Sequence, residues 1–219
     1  MKCSVLFVFV FGWISLWSQR SDFNCTDFNK ADSIAEHTTA HSLINLKALA
    51  DSLTGSLPTE QEKFRAIYKW VCSNIEADYE LLSLNKYKRT KLKGERLAKW
   101  NIKFNKMVFR TLVQENKTIC TGYAYLVREL CYHAGISCVI VNGYARHAGI
   151  DSTTIGSINH SWNKVLLNNK WYLCDATWSS GVFNLRLEQF VKKYNDQFFL
   201  TAPSVFYQTH YNPKKDTKD

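Results

Sequence analysis

The chain has 219 residues with 46% hydrophobic composition, enough for one domain with a developed core and little else. Lys and Arg number 28 against 19 Asp and Glu, a formal net charge of +9. The six cysteines after Cys3 contain no C-x-x-C pair, which argues against a structural zinc site, and a domain of about 190 residues can be stabilised by burial without a disulfide framework.

Lys2 followed by the apolar run Val5 to Trp17 reads as a secretory leader, with Ser18 a plausible small residue before cleavage. The run is too short for a comfortable membrane span, which needs about 20 apolar residues. The rival reading is an uncleaved anchor, and only that reading brings the chain to a membrane. The expected organisation is a leader over 1–18, a linker over 19–30, one domain over 31–213 and a polar tail over 214–219. The expected location is secreted, periplasmic or at the cell surface.

Ile34, Leu43, Leu46 and Leu49 have helical spacing within Asp32 to Leu53, a stretch that ends near Gly55 and Pro58. Thr59 with Glu62 three residues on forms a capping box, and the helix it opens buries Phe64, Ile67, Tyr68, Val71 and Ile75. Trp70 reads as core. Between Lys86 and Lys106 nine basic residues stand against the single acid Glu95. The plain reading is an insertion-like solvated loop and helix face. The sharper one is a patch for an anionic polymer, an anionic surface or an acidic protein. Nucleic acid is excluded as a partner by the leader and by the lack of any nucleic-acid-binding motif.

Met107 to Gln114 leads toward Cys120, where a helical stripe begins: Cys120, Tyr123, Ala124, Val127, Leu130, Cys131 and Ala134, stopped by Gly135. Ile136 to Tyr144 reads as a strand and Ala145 to Ile158 as a loop. Asn159 to Leu167 and Lys170 to Thr177 read as two alternating strands joined by a two-residue Asn168-Asn169 turn. Helices followed by a meander predict an α+β fold. Cys72, Cys131, Cys138 and Cys174 sit in apolar runs and read as core.

The hairpin register brings candidate chemistry together. With Leu167 opposite Lys170, His160 falls opposite Thr177 and Asp175 opposite Trp162. The period of two then puts His160 and Asp175 on one face as diagonal neighbours. Cys120, at a helix start, faces open backbone N–H groups and the positive end of the helix dipole. With a neighbouring imidazolium this favours the thiolate. Its own backbone N–H is placed to hold an oxyanion. The bland alternative is that Cys120 is a small core residue like the other four.

The blocks Cys120-Thr121-Gly122-Tyr123-Ala124, His160-Ser161-Trp162-Asn163 and Trp171-Tyr172-Leu173-Cys174-Asp175-Ala176-Thr177-Trp178 resemble the transglutaminase-like cysteine peptidase superfamily. Lys63 to Val71, together with Phe198-Phe199-Leu200-Thr201-Ala202-Pro203, Phe206 and Thr209-His210, is similar to its kyphoscoliosis-peptidase branch. The resemblance implies a papain-like core in which the nucleophile helix packs on an antiparallel sheet. It also implies Cys120 as nucleophile, His160 as base and Asp175 as the residue that orients it. No cofactor or metal is implied, and the expected substrate is an amide bond of a protein or cell-wall peptide, cleaved or transamidated. Tyr123, Trp162 and Trp178 are candidates for the acyl cleft, although the two tryptophans serve equally well as core walls. Gln114 is a candidate second oxyanion donor beside Cys120. A non-catalytic binding or adaptor domain is the alternative reading. Thr118 and Ser179-Ser180 depart from the family pattern, and His210 reads as a structural hydrogen-bonding residue.

Overall fold

The computed structural model describes residues 20–39, 42–146, 158–184 and 186–212. The expected leader, the polar tail and most of the Ala145 to Ile158 loop lie outside the described residues. Among the described residues no helix is long and apolar enough to cross a membrane.

A single helical stretch is predicted over Asp32 to Leu53, but the chain forms two helices there, α1 (Asn29–His37) and α2 (Leu46–Thr54). The break has a local cause. Asn45 leaves helical geometry and its side chain accepts the Ala48 N–H at 3.0 Å, capping a new helix. Both helices pack on α3 (Glu60–Asn74), which starts at the predicted cap. Thr59 Oγ1 accepts the Glu62 N–H at 3.3 Å and donates to the Glu62 carboxylate at 2.5 Å. Phe64, Ile67, Tyr68, Val71 and Ile75 are fully buried, and buried Trp70 donates its indole N–H to Thr38 O at 2.6 Å.

Arg65 points from α3 into the same interior. Its guanidinium grips Asp32 through Nε (2.5 Å) and Nη2 (2.8 Å) and reaches Asp196 through Nη1 (2.6 Å). Burial opposes its charge, but the Asp32 and Asp196 bonds outweigh that and hold it firmly protonated. One planar fork thereby ties α1, α3 and the segment after residue 190 together.

Short strands β1 (Glu76–Ala77) and β2 (Lys117–Thr118) pair in parallel and bracket α4 (Tyr79–Lys91) and α5 (Gly94–Glu115). The basic stretch is therefore a helical hairpin rather than a loop with a partial helix, and Met107 to Gln114 is the interior of α5. Lys, Arg and Leu are good helix formers, Asp78 caps α4 by accepting the Leu81 N–H at 2.8 Å, and Leu81, Phe104, Val108 and Ile119 form a small core of their own. Asn116, in the left-handed region at φ 53°, ends α5 and turns the chain into β2.

Helix α6 (Cys120–His133) runs through the centre and ends as predicted. Gly135 at φ 75° lets its own N–H reach Tyr132 O at 3.1 Å while the Ile136 N–H reaches Cys131 O at 2.8 Å, the paired bonds of a Schellman stop. The chain then lays down β3 (Cys138–Ala145), β4 (His160–Leu167) and β5 (Lys170–Cys174). Asn168 and Asn169, at φ 50° and 59°, make the two-residue turn between β4 and β5. The pairing follows the expected register from Leu167 opposite Lys170 to Asn163 opposite Cys174, and stops there. His160 has no strand partner at Thr177, because Asp175 already caps the short helix α7 (Ala176–Ser180).

A separate hairpin, β6 (Gly181–Asn184) and β7 (Gln189–Lys192), is followed by α8 (Pro203–Phe206) and by β8 (His210–Tyr211). β8 adds to the free edge of β3, so the main antiparallel sheet has the order β5-β4-β3-β8. α6 lies across β4, where Asn163 Nδ2 donates to Ala124 O at 3.0 Å. The architecture is α+β, with the helix that begins at Cys120 packed on an antiparallel sheet. Cys72, Cys131 and Cys174 are buried as expected, Cys138 is half-buried against the core, and Cys25 is exposed.

Candidate active site

Four side chains from four elements converge at one end of the sheet. Cys120 is the first residue of α6, half-buried, with Ile119 as a cap that offers no side-chain hydrogen bond. The Gly122 and Tyr123 N–H groups turn back to Ile119 O at 2.9 and 3.2 Å, so the positive end of α6 is presented to the sulfur by the N–H groups before them. His160 is the first residue of β4 and is buried. Asp175 follows the last residue of β5 and is fully buried. His210, on the edge strand β8, is 1% exposed.

The carboxylate of Asp175 is saturated. Oδ1 accepts the backbone N–H groups of Thr177 (2.8 Å) and Trp178 (3.2 Å), the first turn of α7. Oδ2 accepts Nε2 of His160 at 2.6 Å and Nε2 of His210 at 3.0 Å. With Nε2 committed to Asp175, Nδ1 is the nitrogen His160 has left for the Cys120 thiol, with which it shares a hydrogen bond. The Ser161 backbone N–H also favours the charged sulfur.

These contacts decide the charges. Burial pushes the Cys120 thiol up, but the His160 hydrogen bond and charge, with the Ser161 N–H, outweigh it and leave the thiol below its usual value. Burial favours a neutral His160, but Asp175 and the Cys120 sulfur overcome it and raise its pKa to about 10. Burial likewise opposes ionised Asp175, and His160, followed by His210, holds it well below the usual carboxylate range. At neutral pH His160 is held protonated and Asp175 ionised, and both contacts of the Cys120 sulfur favour its thiolate form. Cys72 and Cys174, buried thiols nearby, are pushed the other way and stay inert.

His160, Asp175 and His210 also form a group whose donor atoms lie within 4.8 Å of one another. The two nitrogens stand 2.6 and 3.0 Å from one oxygen, N–H···O distances shorter than the about 3.3 Å that separates tetrahedral zinc ligands. The packing is that of a hydrogen-bonded relay.

The remaining predicted residues are distributed differently. Tyr123 does not reach a cleft: it is fully buried, its hydroxyl bonded to Ile75 O at 2.9 Å and Ser180 Oγ at 3.2 Å. Trp162 is buried with Val141, Leu173, Phe198 and Phe206, a wall behind the relay. Trp178 is half-buried and faces His160 at a centroid distance of 5.6 Å, so of the three aromatics it alone lies at the site with surface left. Gln114 is exposed in the last turn of α5. The departures from the family pattern have structural roles. Thr118 packs under Gly122, Ser179 Oγ accepts the Tyr68 hydroxyl at 2.8 Å, and Ser180 braces Tyr123. The place of His210 in the relay was not foreseen. Its sequence signal is the Thr209-His210 tail similarity, some 35 residues after Asp175, which no period or spacing connects to the site.

A sheet carrying His and Asp, with a Cys at the start of the helix packed on it, defines the papain-like, transglutaminase-core class of fold. The family model of the transglutaminase-like superfamily matches residues 47–176, and the chain belongs to that superfamily. Within it the chain stands on the kyphoscoliosis-peptidase branch. It is 31% identical over 191 residues to the human kyphoscoliosis peptidase, covering 86% of this chain and 26% of that protein. It is 24% identical over 204 residues to Hillarin of Drosophila melanogaster, covering 84% of this chain and 22% of that one. The chain thus spans about a quarter of the length of these relatives. Among solved structures, a crystal structure of a TGase is similar over 72% of this chain and 35% of that one, with 17% identity and a TM-score of 0.41.

Proposed function

We propose that the protein is a thiol-dependent acyl-transfer enzyme acting on amide bonds of protein or peptide, with hydrolysis favoured over transamidation. The observation that carries this reading is the coupled row of Cys120, His160 and Asp175, in which Asp175 Oδ2 holds His160 Nε2 at 2.6 Å and the other ring nitrogen serves the thiol. A buried ion pair this costly to assemble argues against a purely adhesive domain.

In the proposed mechanism the Cys120 thiolate attacks the amide carbonyl, forming an S–C bond while the carbonyl electrons move onto oxygen. The Cys120 backbone N–H, at the open start of α6, stabilises that oxyanion, and exposed Gln114 is a candidate second donor. As the oxyanion collapses the C–N bond breaks and protonated His160 gives its Nδ1 proton to the departing amine. The thioester that remains is resolved by water, which loses a proton to His160, restoring the thiolate and releasing a carboxylic acid. An amine in place of water yields a cross-link. Asp175 keeps the ring oriented and compensates its charge throughout. Trp178 lies where it can contact the acyl chain.

The family supports the chemistry in outline, and the name peptidase on the 31% identical relatives supports the hydrolytic choice. The leader-like pattern of Lys2 followed by the apolar run Val5 to Trp17 supports a secreted or cell-surface location. The basic α4–α5 hairpin is proposed as the face that meets an anionic partner, here the acidic flank of the polypeptide substrate, since Arg89 Nη1 reaches Ile158 O at 3.5 Å, two residues from His160.

The test is the purified chain with iodoacetamide and a peptide library. Cys120 should be alkylated selectively at pH 7, located by mass spectrometry, and Cys120→Ala should abolish peptide turnover. Undiminished turnover in Cys120→Ala, or labelling no faster at Cys120 than at exposed Cys25, overturns the proposal and favours the binding-domain reading.

A further inference from the structure

His210 is placed with more care than a packing role requires. The Asp175 carboxylate only accepts, so His210 must carry its hydrogen on Nε2 to make the 3.0 Å bond. The opposite nitrogen, Nδ1, stands 2.8 Å from Thr209 Oγ1, which donates to it or, when its hydrogen turns to Phe206 O at 3.3 Å, accepts from it; either way the contact holds the ring with Nε2 toward Asp175. The ring stacks on Phe206 at 4.1 Å and lies against Trp178 at 4.6 Å and Trp162 at 5.1 Å. The backbone beneath it is held by the pairing of β8 to β3 and by the Arg146 N–H on Thr209 O at 2.8 Å. A histidine fixed on every side presents one N–H to one oxygen.

That oxygen is the one His160 uses. Oδ1 is already occupied by the Thr177 and Trp178 N–H groups, so His210 adds little to the aim of the carboxylate. What it changes is how the charge on Oδ2 is divided. An acceptor shared between two N–H donors binds each less tightly than one donor alone, and its ionised form is favoured further.

We propose that His210 is a positioning residue acting through Asp175: its Nε2–H shares Oδ2 with His160, keeping that oxygen ionised and loosening its hold on the His160 proton. The ring then gives its Nδ1 proton to the leaving amine more readily. No other bond is made or broken by His210, whose own proton stays on Nε2 through the cycle. This rests on the acyl-transfer reading above and deepens it.

The other titratable groups facing Asp175 are Cys120 and Tyr123 on α6, Cys72 on α3 and Cys174 on β5. Burial raises Tyr123, Cys72 and Cys174, so they remain neutral across the working range.

The experiment compares wild type with His210→Phe, which fills the aromatic cage without a donor, and His210→Gln, which restores an N–H near the Nε2 position. Near-ultraviolet circular dichroism and urea unfolding establish that each is folded. Alkylation of Cys120 by iodoacetamide is followed from pH 4 to 11, the upper step of the profile reporting His160, and kcat and KM are measured on a peptide identified with wild type. In His210→Phe the upper step should rise by about one pH unit and kcat should fall about tenfold with KM little changed, and His210→Gln should recover most of both. A folded His210→Phe whose upper step is unchanged or lower overturns the inference while leaving the acyl-transfer reading intact. So does a His210→Gln as impaired as His210→Phe. If His210→Phe does not fold, Thr209→Val, which removes the hydroxyl on Nδ1 and frees the ring to turn from Asp175, decides it: its upper step should rise, and an upper step unchanged from wild type overturns the inference. A wild-type Cys120 no more reactive than Cys25 overturns both readings at once.

Discussion

Gly122 lies in the first turn of the helix that carries Cys120, where a methyl group in place of its hydrogen would meet Thr118 Oγ1 at 1.9 Å, Cβ at 2.8 Å and Cγ2 at 2.9 Å. Helix propensity alone favours Gly122→Ala by about 1 kcal/mol. The contact decides otherwise. An ordinary approach of carbon to oxygen is about 3.5 Å, so the methyl must retreat by about 1.5 Å. Thr118 cannot yield easily, being fully buried on β2 with its carbonyl held by the Asp78 N–H at 2.7 Å. The start of α6 must move instead, at an overpacking cost of about 1–3 kcal/mol. A displacement of Cys120 by about 1 Å relative to His160 costs about 100-fold in the acylation rate. Thr118→Ala removes Oγ1 and Cγ2 and leaves only the Cβ contact, so Thr118→Ala/Gly122→Ala should regain most of both losses. Urea unfolding measures the first quantity, and iodoacetamide labelling of Cys120 with peptide turnover measures the second. A Gly122→Ala protein as stable and as reactive as wild type, or a double variant no better than the single one, would refute the reasoning.

Stability should also depend on pH through the relay. The His160 pKa rises from 6.5 to about 10 on folding, so the folded state holds a proton there that the unfolded chain has released; the stabilisation it represents, present below pH 6.5, is lost as pH climbs toward 10 and is offset as far as the depressed Cys120 thiol has released its own proton. The slope is at most about 1.4 kcal/mol per pH unit; it should be fullest in Cys120→Ala, where no thiol offsets the His160 proton, and absent in His160→Gln, and Cys120→Ala urea midpoints that do not change between pH 6.5 and 9.5 contradict this origin. At the acid end Asp175, held low by its donors, contributes stability above its ordinary range that disappears as pH falls below it. For the basic hairpin, kcat/KM on acidic peptides should fall several-fold between about 50 and 500 mM salt, and glutamine at Lys86, Lys88, Lys91 and Lys93 should remove that dependence. An equal salt response on neutral peptides counts against the hairpin as a docking face.

Much of the site was legible because its parts are local. The Cys120 helix start, the Asn168-Asn169 turn and the register from Leu167–Lys170 inward each depend on a few neighbouring residues, and the period of two then carried His160 toward Asp175. The register failed at its end, where Asp175 left the strand to cap α7, a competition between ladder and cap that alternation does not reveal. The predicted single helix over Asp32 to Leu53 failed for a similar reason, since the Asn45 cap outweighs an apolar spacing that runs across it. Tyr123 shares the helical stripe of Cys120, but one turn further in its ring is fully buried and its hydroxyl is taken up by Ile75 O and Ser180 Oγ.

From its residues alone the chain determined its fold class, its family and the three side chains of the candidate triad, because those rest on short-range geometry and on dense local motifs. The tertiary structure decided which groups share the Asp175 carboxylate. It brought His210 in from an edge strand formed 35 residues later. It also turned the basic run into a helical hairpin beside His160 and buried two of the three expected cleft aromatics. Each of these outcomes depends on contacts between segments far apart in the chain, where the choice of partner is settled by packing and no spacing rule applies.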